Sequence, residues 1–197
     1  MTPTIGILIF DGVEELDFVG PWEVLCAAAY EREGTRVLLI AERDGPVTCA
    51  NGMRVLPDAT IGDAPRLDVI LVPGGEGTRR EATNRALLDW IAGVARNCQW
   101  VTSVCTGSLL LAAAGLCDGK RVTTHWDFVP ALRALGRAEV LDGPRYVRDG
   151  NLVTAAGVSA GIDMALWLVG QIWDPNFARR VQKMIQYDPA PPYQADV

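Results

Sequence analysis

Short, continuous runs of apolar residues recur along the chain and predict the strands of a buried parallel sheet. Residues 5–10 (IGILIF) form the first run, which ends at an Asp-Gly turn signal. A short apolar run bounded by turn residues is typical of a strand that is covered on both faces. Similar runs, most of them followed by Gly or Pro, occur at residues 36–41, 68–72, 100–104 and 121–124.

Segments with helical spacing separate these strands. Apolar side chains recur at intervals of three and four residues, as in amphipathic helices, in residues 16–31, 83–96, 106–114 and 127–135. Two more helices are predicted at residues 159–173 and 175–185. Because strands alternate with helices, the pattern predicts right-handed βαβ units. The predicted fold class is α/β: a doubly wound, mostly parallel sheet with helices on both faces, as in a flavodoxin-like sandwich.

Two segments have the pattern of a β-hairpin instead. Residues 47–56 (VTCANGMRVL) contain Asn-Gly at positions 51–52, and residues 145–154 (RYVRDGNLVT) contain Asp-Gly at positions 149–150. Both dipeptides favour the tight turn that joins two antiparallel strands. We therefore expect two small β-hairpin additions, either as antiparallel strands of the sheet or as side ribbons.

Composition narrows the class of protein. A chain of 197 residues with 49% hydrophobic and 21% charged side chains can form one sizeable core, so we expect a single domain over residues 1–197. The net charge of −6 argues against a nucleic-acid partner, since such binders need clustered Lys and Arg. There is no apolar run of about 18 residues, as a membrane span requires, and no signal-peptide pattern. The expected protein is cytoplasmic and acts on a small molecule.

Cysteine and histidine usage bears on metals and cofactors. The single histidine, His125, leaves a zinc site of the usual His/Cys type without its ligand spacing. The phosphate-binding motif G-x-x-x-x-G-K-[ST] is absent, and so is the dinucleotide-binding motif G-x-G-x-x-G after the first strand. We therefore expect no metal or other cofactor. The cysteines are odd in number and include no C-x-x-C pair, which predicts free thiols in a reducing compartment, at Cys26, Cys49, Cys98, Cys105 and Cys117.

One of these cysteines has the setting of a nucleophile. Ligands of doubly wound sheets bind at the carboxyl ends of the strands, where residues 103–107 (SVCTG) lie. Cys105 has small residues two positions to either side, as in a nucleophile elbow. The start of a helix favours the charged form of a thiol, so we expect a reactive thiolate. The alternative, a buried structural cysteine, is our interpretation of the other four.

Further candidates follow the other strand ends. Asp17 is either a helix cap or, against apolar neighbours, a carboxyl with a raised pKa that exchanges protons. Gly74 and Gly75 indicate either a turn that needs positive φ or N–H groups that hold a developing negative charge. His125, also at a strand end, is either structural or part of the substrate- or oxyanion-binding pocket, and it is the one possible histidine partner of Cys105.

Together these residues resemble the ThiJ/PfpI superfamily, which includes the parkinsonism-associated deglycase, over nearly the whole chain. The matching features are the first strand with its following acid, residues 73–75 (PGG), the Cys105 elbow and residues 123–125 (TTH). Three segments are similar to the isonitrile (isocyanide) hydratase branch, namely residues 16–21 (LDFVGP), 102–108 (TSVCTGS) and 186–193 (QYDPAPPY).

The resemblance implies a role for each matched residue. Cys105 is then the nucleophile, Asp17 the general acid/base and Thr106 a hydrogen-bonding partner in the pocket. The implied enzyme adds water to isocyanides, giving N-formamides, without a cofactor. The resemblance also implies a homodimer with the active site near the interface.

The sequence differs from other branches of the superfamily at matched positions, and two alternative functions are considered. Thr106 stands where peptidase-like members have histidine, so proteolysis is not expected. Members that act on glyoxals usually carry Glu at the position of Asp17. A glyoxalase or deglycase acting on small carbonyl compounds is one alternative, and a non-catalytic thiol sensor of stress or oxidation is the other. Sensor domains of some transcription regulators share these motifs, but they carry an extra helix-turn-helix domain for which we see no room after Ile185.

Overall fold

The computed structural model describes residues 2–189. Its strands are β1 (Thr4–Leu8), β2 (Arg36–Ala41), β3 (Val47–Thr48), β4 (Arg54–Val55), β5 (Ala59–Thr60), β6 (Val69–Val72), β7 (Trp100–Val104), β8 (Arg121–Val122), β9 (Glu139–Val140), β10 (Tyr146–Asp149) and β11 (Leu152–Ala155). Its helices are α1 (Glu15–Tyr30), α2 (Thr78–Glu81), α3 (Arg85–Ala95), α4 (Gly107–Ala113), α5 (Val129–Ala134), α6 (Ala160–Ile172) and α7 (Pro175–Met184). A short 3-10 helix, Trp126–Phe128, precedes α5.

A seven-stranded sheet forms the centre of the fold, in the order β10-β11-β7-β6-β1-β2-β5. Neighbouring strands are parallel except for β10 and β11. Helices α1, α6 and α7 contact one another in one layer, and α3 packs with α4 in another. This confirms the predicted doubly wound α/β fold. It also places the carboxyl ends of β1, β6 and β7 side by side.

The central strands are apolar because both faces of the sheet are covered. All four residues of β6 are buried, as are Ile5, Ile7 and Leu8 of β1. Burying such side chains contributes about 1.5–3 kcal/mol each. The predicted strands at residues 5–10, 36–41, 68–72 and 100–104 are therefore confirmed, with ends that differ by up to two residues.

The second predicted hairpin is only partly an addition to the sheet. Its outer arm, β10, is an antiparallel edge strand, as expected. Its inner arm, β11, is instead a parallel neighbour of β7 inside the sheet, and all four of its residues are buried. The first hairpin, β3 with β4, forms a separate two-stranded ribbon as predicted.

The predicted fifth strand of the main sheet, at residues 121–124, is wrong. β8 pairs in parallel with β9 in a separate two-stranded sheet. This segment has one apolar side chain, Val122, and its two threonines lie outside the strand and its pairing. The N–H of Thr123 donates to Oγ1 of Thr154 at 2.7 Å. The neighbour of β7 in the main sheet is β11 instead.

Two findings concern membranes and metals. None of the helices in the described chain has the length and apolar character needed to cross a bilayer. Across residues 2–189, no group of His, Cys, Asp and Glu side chains is arranged to hold a metal ion. The five cysteines are free thiols. The similarity at residues 186–193 extends past Pro189, so its second half, residues 190–193, lies outside the described residues.

Candidate active site

Cys105 lies at the turn between β7 and α4, where the sequence placed it. Its φ of 56° is in the left-handed region, which costs about 1–3 kcal/mol for a residue with a side chain. Its N–H donates to the carbonyl oxygens of Ala155 (3.1 Å) and Ala156 (2.8 Å). The Thr124 hydroxyl donates to its carbonyl oxygen at 2.9 Å. These three bonds hold the strained turn in place.

The glycine of the elbow is required by the end of β6. A Cβ at position 107 would lie 2.0 Å from the carbonyl oxygen of Val72 and 2.8 Å from that of Pro73. No side chain fits at those distances. Gly107 therefore lets the start of α4 pack directly against the strand that carries the Gly74-Gly75 loop.

Asp17 lies in the first turn of α1 and is fully buried. The cap position of this helix belongs to Glu14, so Asp17 is not its N-cap. Oδ2 accepts a hydrogen bond from the Gly74 N–H at 2.8 Å. Within residues 2–189, Oδ1 has no well-formed hydrogen bond. A buried carboxyl held by one oxygen can exchange a proton through the other.

The environment of Asp17 raises its pKa from 3.8 to about 7. Burial is the main cause, because it disfavours the charged form. The N–H of Gly74 opposes this effect, and the negative charge of Glu14 adds to it. Hydrogen bonding from the Cys105 thiol and from the Val158 N–H lowers the pKa slightly. The result is a carboxyl that titrates near neutral pH beside the thiol.

The thiol of Cys105 does not have the lowered pKa that its position before a helix predicted. Burial and the negative charge of Asp17 raise the pKa of Cys105 to about 12, against hydrogen bonds from the N–H and hydroxyl of Thr106. The side chain is only 7% exposed, which explains why burial dominates. Two buried acids in contact disfavour a second negative charge, so over a wide pH range they share one proton.

Thr106 is fixed by the loop after β6. Its Oγ1 accepts from the Gly75 N–H at 3.0 Å and lies 3.2 Å from the carbonyl oxygen of the same residue. The Thr78 hydroxyl is 3.1 Å away. Because these contacts orient the Thr106 hydroxyl, the hydroxyl can stabilise the thiolate of Cys105.

Gly74 and Gly75 have partners other than the one predicted. Their N–H groups already bind Asp17 and Thr106, so in this structure they are not free to hold a developing negative charge. A Cβ at Gly74 would lie 2.5 Å from the N of Thr106, and Gly75 has a φ of 116°. Both glycines are needed for close approach and for the turn, as the alternative interpretation held.

His125 lies beside the pair formed by the Asp17 carboxyl and the Cys105 thiol, and it is not bonded to either group. Its ring packs on Gly157, where a Cβ would lie 2.4 Å from Cδ2, and its Nδ1 accepts from the Asp127 N–H at 3.3 Å. In the described part of the chain it makes no hydrogen bond with Cys105 or Asp17. With Trp126 and Val158 it lines a cavity of about 360 Å³. The geometry does not form a Cys-His dyad.

Comparison with known proteins agrees with this arrangement. Residues 3–171 match the model of the DJ-1/PfpI family. The chain belongs to the DJ-1/PfpI family. This confirms the resemblance found in the sequence.

Relatives within the DJ-1/PfpI family differ in length and type. Isonitrile hydratase of Pseudomonas putida is 44% identical over 195 residues, which cover 99% of this chain and 83% of the relative. The HTH-type transcriptional regulator CdhR of Pseudomonas aeruginosa is 30% identical over 184 residues, which cover 93% of this chain and 54% of the regulator. The chain thus spans about half the length of that regulator.

Solved structures show the same DJ-1/PfpI fold. A ThiJ/PfpI family protein from Pseudomonas syringae superimposes with a TM-score of 0.92 and 36% identity, covering 100% of this chain and 80% of that one. DJ-1beta of Drosophila melanogaster superimposes with a TM-score of 0.83 and 24% identity, covering 96% and 100%. The second match bears on the fold alone.

Several residues of this family site were not singled out by the sequence. Val158 has a φ of 45°, an outlier for a β-branched residue, and its N–H reaches Asp17. No local pattern predicts positive φ at a valine. No sequence pattern indicated Glu14, although its charge raises the pKa of Asp17. Thr78 has the pattern of an ordinary helix residue, but its hydroxyl contacts Thr106.

Proposed function

We propose that this protein is a cysteine-dependent isonitrile hydratase, a lyase that converts an isocyanide and water to an N-formamide. The observation that supports it is the buried pair of Asp17 and Cys105. The chain that contains this pair is 44% identical to an isonitrile hydratase over 99% of its length. In the proposal Cys105 is the nucleophile, Asp17 the general acid/base and Thr106 the residue that supports the sulfur.

The first half of the reaction adds the thiol across the isocyanide carbon. Cys105 gives its proton to the carboxylate of Asp17, and the N–H and hydroxyl of Thr106 stabilise the thiolate. The thiolate forms a bond to the terminal carbon of R–N≡C, and Asp17 returns the proton to that carbon. The product is a thioimidate, R–N=CH–S–Cys105, and Asp17 is again a carboxylate.

The second half adds water and releases the enzyme. Asp17 takes a proton from water, the hydroxyl oxygen bonds to the thioimidate carbon, and the nitrogen receives the proton. The resulting R–NH–CH(OH)–S–Cys105 loses its hydroxyl proton as the C–S bond breaks. That proton returns to the sulfur, and R–NH–CHO leaves. No oxidant or reductant is needed, so the proposal includes no cofactor.

The proposed oligomeric state and location of the enzyme follow from the family resemblance. We propose a homodimer with the site near its interface, acting in the cytoplasm on a small molecule. Size-exclusion chromatography with light scattering measures the oligomeric state, and a mass of about 21.3 kDa, the mass of one chain, would contradict the dimer.

Turnover of isocyanides tests the reaction directly. Purified protein is incubated with an aryl and an alkyl isocyanide, and N-formamide is quantified by liquid chromatography and mass spectrometry. Cys105→Ala should abolish the product, and Asp17→Asn should slow it by about 10²–10⁴-fold. Cys26→Ala, which removes a half-buried thiol of α1, is the control and should leave the rate unchanged. Absence of product from several isocyanides, with Cys105 shown to be reduced, would refute the substrate.

The structure does not favour either alternative function. A peroxide sensor needs an exposed thiol, whereas Cys105 is 7% exposed. Glyoxalase-type members usually carry Glu where this chain has Asp17. Loss of methylglyoxal that depends on Cys105 would nevertheless promote the glyoxalase alternative over the isocyanide reaction.

A further inference from the structure

Arg79 is an immobilised cation at the edge of the candidate site. It lies on α2, and its Nη1 donates to the carbonyl oxygen of Gly75 at 3.0 Å and to Oγ1 of Thr78 at 3.2 Å. Its guanidinium carbon is 5.1 Å from the centre of the Phe128 ring. A cation over an aromatic ring is attracted to the face of that ring. Arg79 therefore has a defined position although it is exposed.

A short chain of contacts joins Arg79 to the sulfur. The Gly75 carbonyl oxygen that binds Arg79 also lies 3.2 Å from Oγ1 of Thr106. The N–H and hydroxyl of Thr106 in turn act on the adjacent Cys105 by lowering the pKa of its thiol. The guanidinium is thus separated from the group that supports the thiolate by a single carbonyl oxygen.

Arg79 has no acidic partner among residues 2–189, unlike its neighbour on α2. Arg80 lies 2.7 Å from Oε1 of Glu81 and donates to the Asp11 carbonyl oxygen at 2.7 Å. Among residues 2–189, no carboxylate is within salt-bridge distance of Arg79. Its hydrogen bonds to these residues all use Nη1, and none uses Nε or Nη2. These two atoms form an edge of the guanidinium that can bind a carboxylate with two parallel hydrogen bonds.

We propose that Arg79 binds a carboxylate of the substrate, so that the preferred substrates are isocyanides that carry a carboxylate close to the isocyano group. This inference rests on the proposed function. Glu14 and Asp17 make the surroundings of Cys105 acidic, and the whole chain has a net charge of −6. An anionic substrate is repelled there unless a cation compensates. Arg79 is a specificity-determining residue on this interpretation.

Alkylation of Cys105 tests the charge preference without any isocyanide. Iodoacetate and iodoacetamide deliver similar groups to a thiol, but only iodoacetate carries a carboxylate. Arg79→Gln should lower the rate of Cys105 modification by iodoacetate about tenfold, the size of a charge-assisted contact. It should leave the iodoacetamide rate unchanged. Arg80→Gln, which removes the neighbouring paired arginine, should change neither rate. The iodoacetate advantage should also fall as salt is added, because exposed charges are screened.

Turnover separates this inference from the proposed function. Isocyanoacetate and its neutral methyl ester are compared, and Arg79→Gln should reduce kcat/KM about tenfold for the acid, mainly through KM, and not for the ester. If neither compound is hydrated, the proposed function fails, while the iodoacetate result still decides the role of Arg79. Equal effects of Arg79→Gln on both alkylating reagents would overturn the inference. So would failure of both reagents to reach Cys105.

Discussion

The main-chain N–H of Gly74 donates a 2.8 Å hydrogen bond to Oδ2 of Asp17. A Cβ at position 74 would lie 2.8 Å from the same oxygen, so only glycine allows this approach. The bond anchors Oδ2, whereas Oδ1 has no well-formed hydrogen-bond partner among residues 2–189. The loop therefore has two effects: it positions the carboxyl, and its N–H lowers a pKa that burial raises.

Asp17→Asn is expected to stabilise the protein progressively as the pH rises. Because burial raises the pKa of Asp17 from 3.8 to about 7, the native state binds the proton more tightly than the unfolded chain. The resulting stability is complete below about pH 3.8 and is lost as the pH rises to about 7. At about 1.4 kcal/mol per pKa unit, the full loss is about 4 kcal/mol. Asparagine keeps an acceptor for Gly74 and avoids this loss.

Urea unfolding at several pH values between 4 and 8 measures the difference. Asp63→Asn serves as a control, because hydrogen bonds from Thr60 lower the pKa of Asp63. Its difference from wild type should change little above about pH 5, where this carboxyl is ionised in both the folded and the unfolded chain. A constant difference between Asp17→Asn and wild type across this range would contradict a raised pKa of Asp17.

Isocyanide turnover should increase as the pH rises through about 7. Below that value Asp17 is protonated and cannot take the proton of Cys105. Above it the pair holds one proton up to the raised pKa of the thiol, about 12, so a plateau is expected. The profile of kcat/KM between pH 5 and 9 checks this. A single rise near the pKa of an ordinary thiol, about 8.5, would contradict proton transfer to Asp17.

Thr106→Val should impair both the reaction and the loop. Valine keeps the shape and the N–H but removes the hydroxyl that supports the sulfur and accepts from Gly75. We expect turnover to fall about tenfold and stability by about 1–3 kcal/mol, because the buried N–H of Gly75 loses its partner. Thr106→Ser retains the hydroxyl and should preserve most of the rate. Equal losses in both variants would show that the hydroxyl is not responsible.

Gly107→Ala tests the close packing under the elbow. The added methyl group would lie 2.0 Å from the Val72 carbonyl oxygen, so either α4 or β6 must shift. We expect a loss of at least about 3 kcal/mol in the free energy of unfolding, as for other overpacked sites. Gly93→Ala in α3 is the matched control, since nothing lies within 4 Å of its added carbon. It should stabilise by about 0.5–1 kcal/mol. Similar effects of the two changes would refute the packing argument.

The sequence predicted the central strands well because their signal is local. β1, β2, β6 and β7 are apolar runs whose composition alone indicates two covered faces. No local pattern predicted the position of β11 within the sheet. Residues 121–124 and β11 are both short strand-like segments, and only long-range pairing decides which of them lies beside β7.

The candidate site shows the same division. The rule that ligands bind at strand ends brought Cys105, Asp17 and the glycine loop together from sequence. The direction of the Gly74 and Gly75 N–H groups could not be predicted, because it depends on the turn they form. The direction of the pKa shift of Cys105 could not be predicted either. A helix start lowers a thiol pKa, burial raises it, and the depth of burial is a property of the whole fold.

The two carbonyl oxygens that bind the Cys105 N–H come from the end of β11 and the residue after it, about 50 positions further along the chain. Asp17 and Gly74 lie 88 and 31 positions before Cys105. Contacts so far apart in sequence form late in folding, since closing long loops is slow. A nascent or partly folded chain therefore carries Cys105 as an ordinary thiol, relaxed and open to solvent. The special environment of Cys105 appears only when β11 has joined the sheet, so the chemistry of this residue reports the completion of the fold.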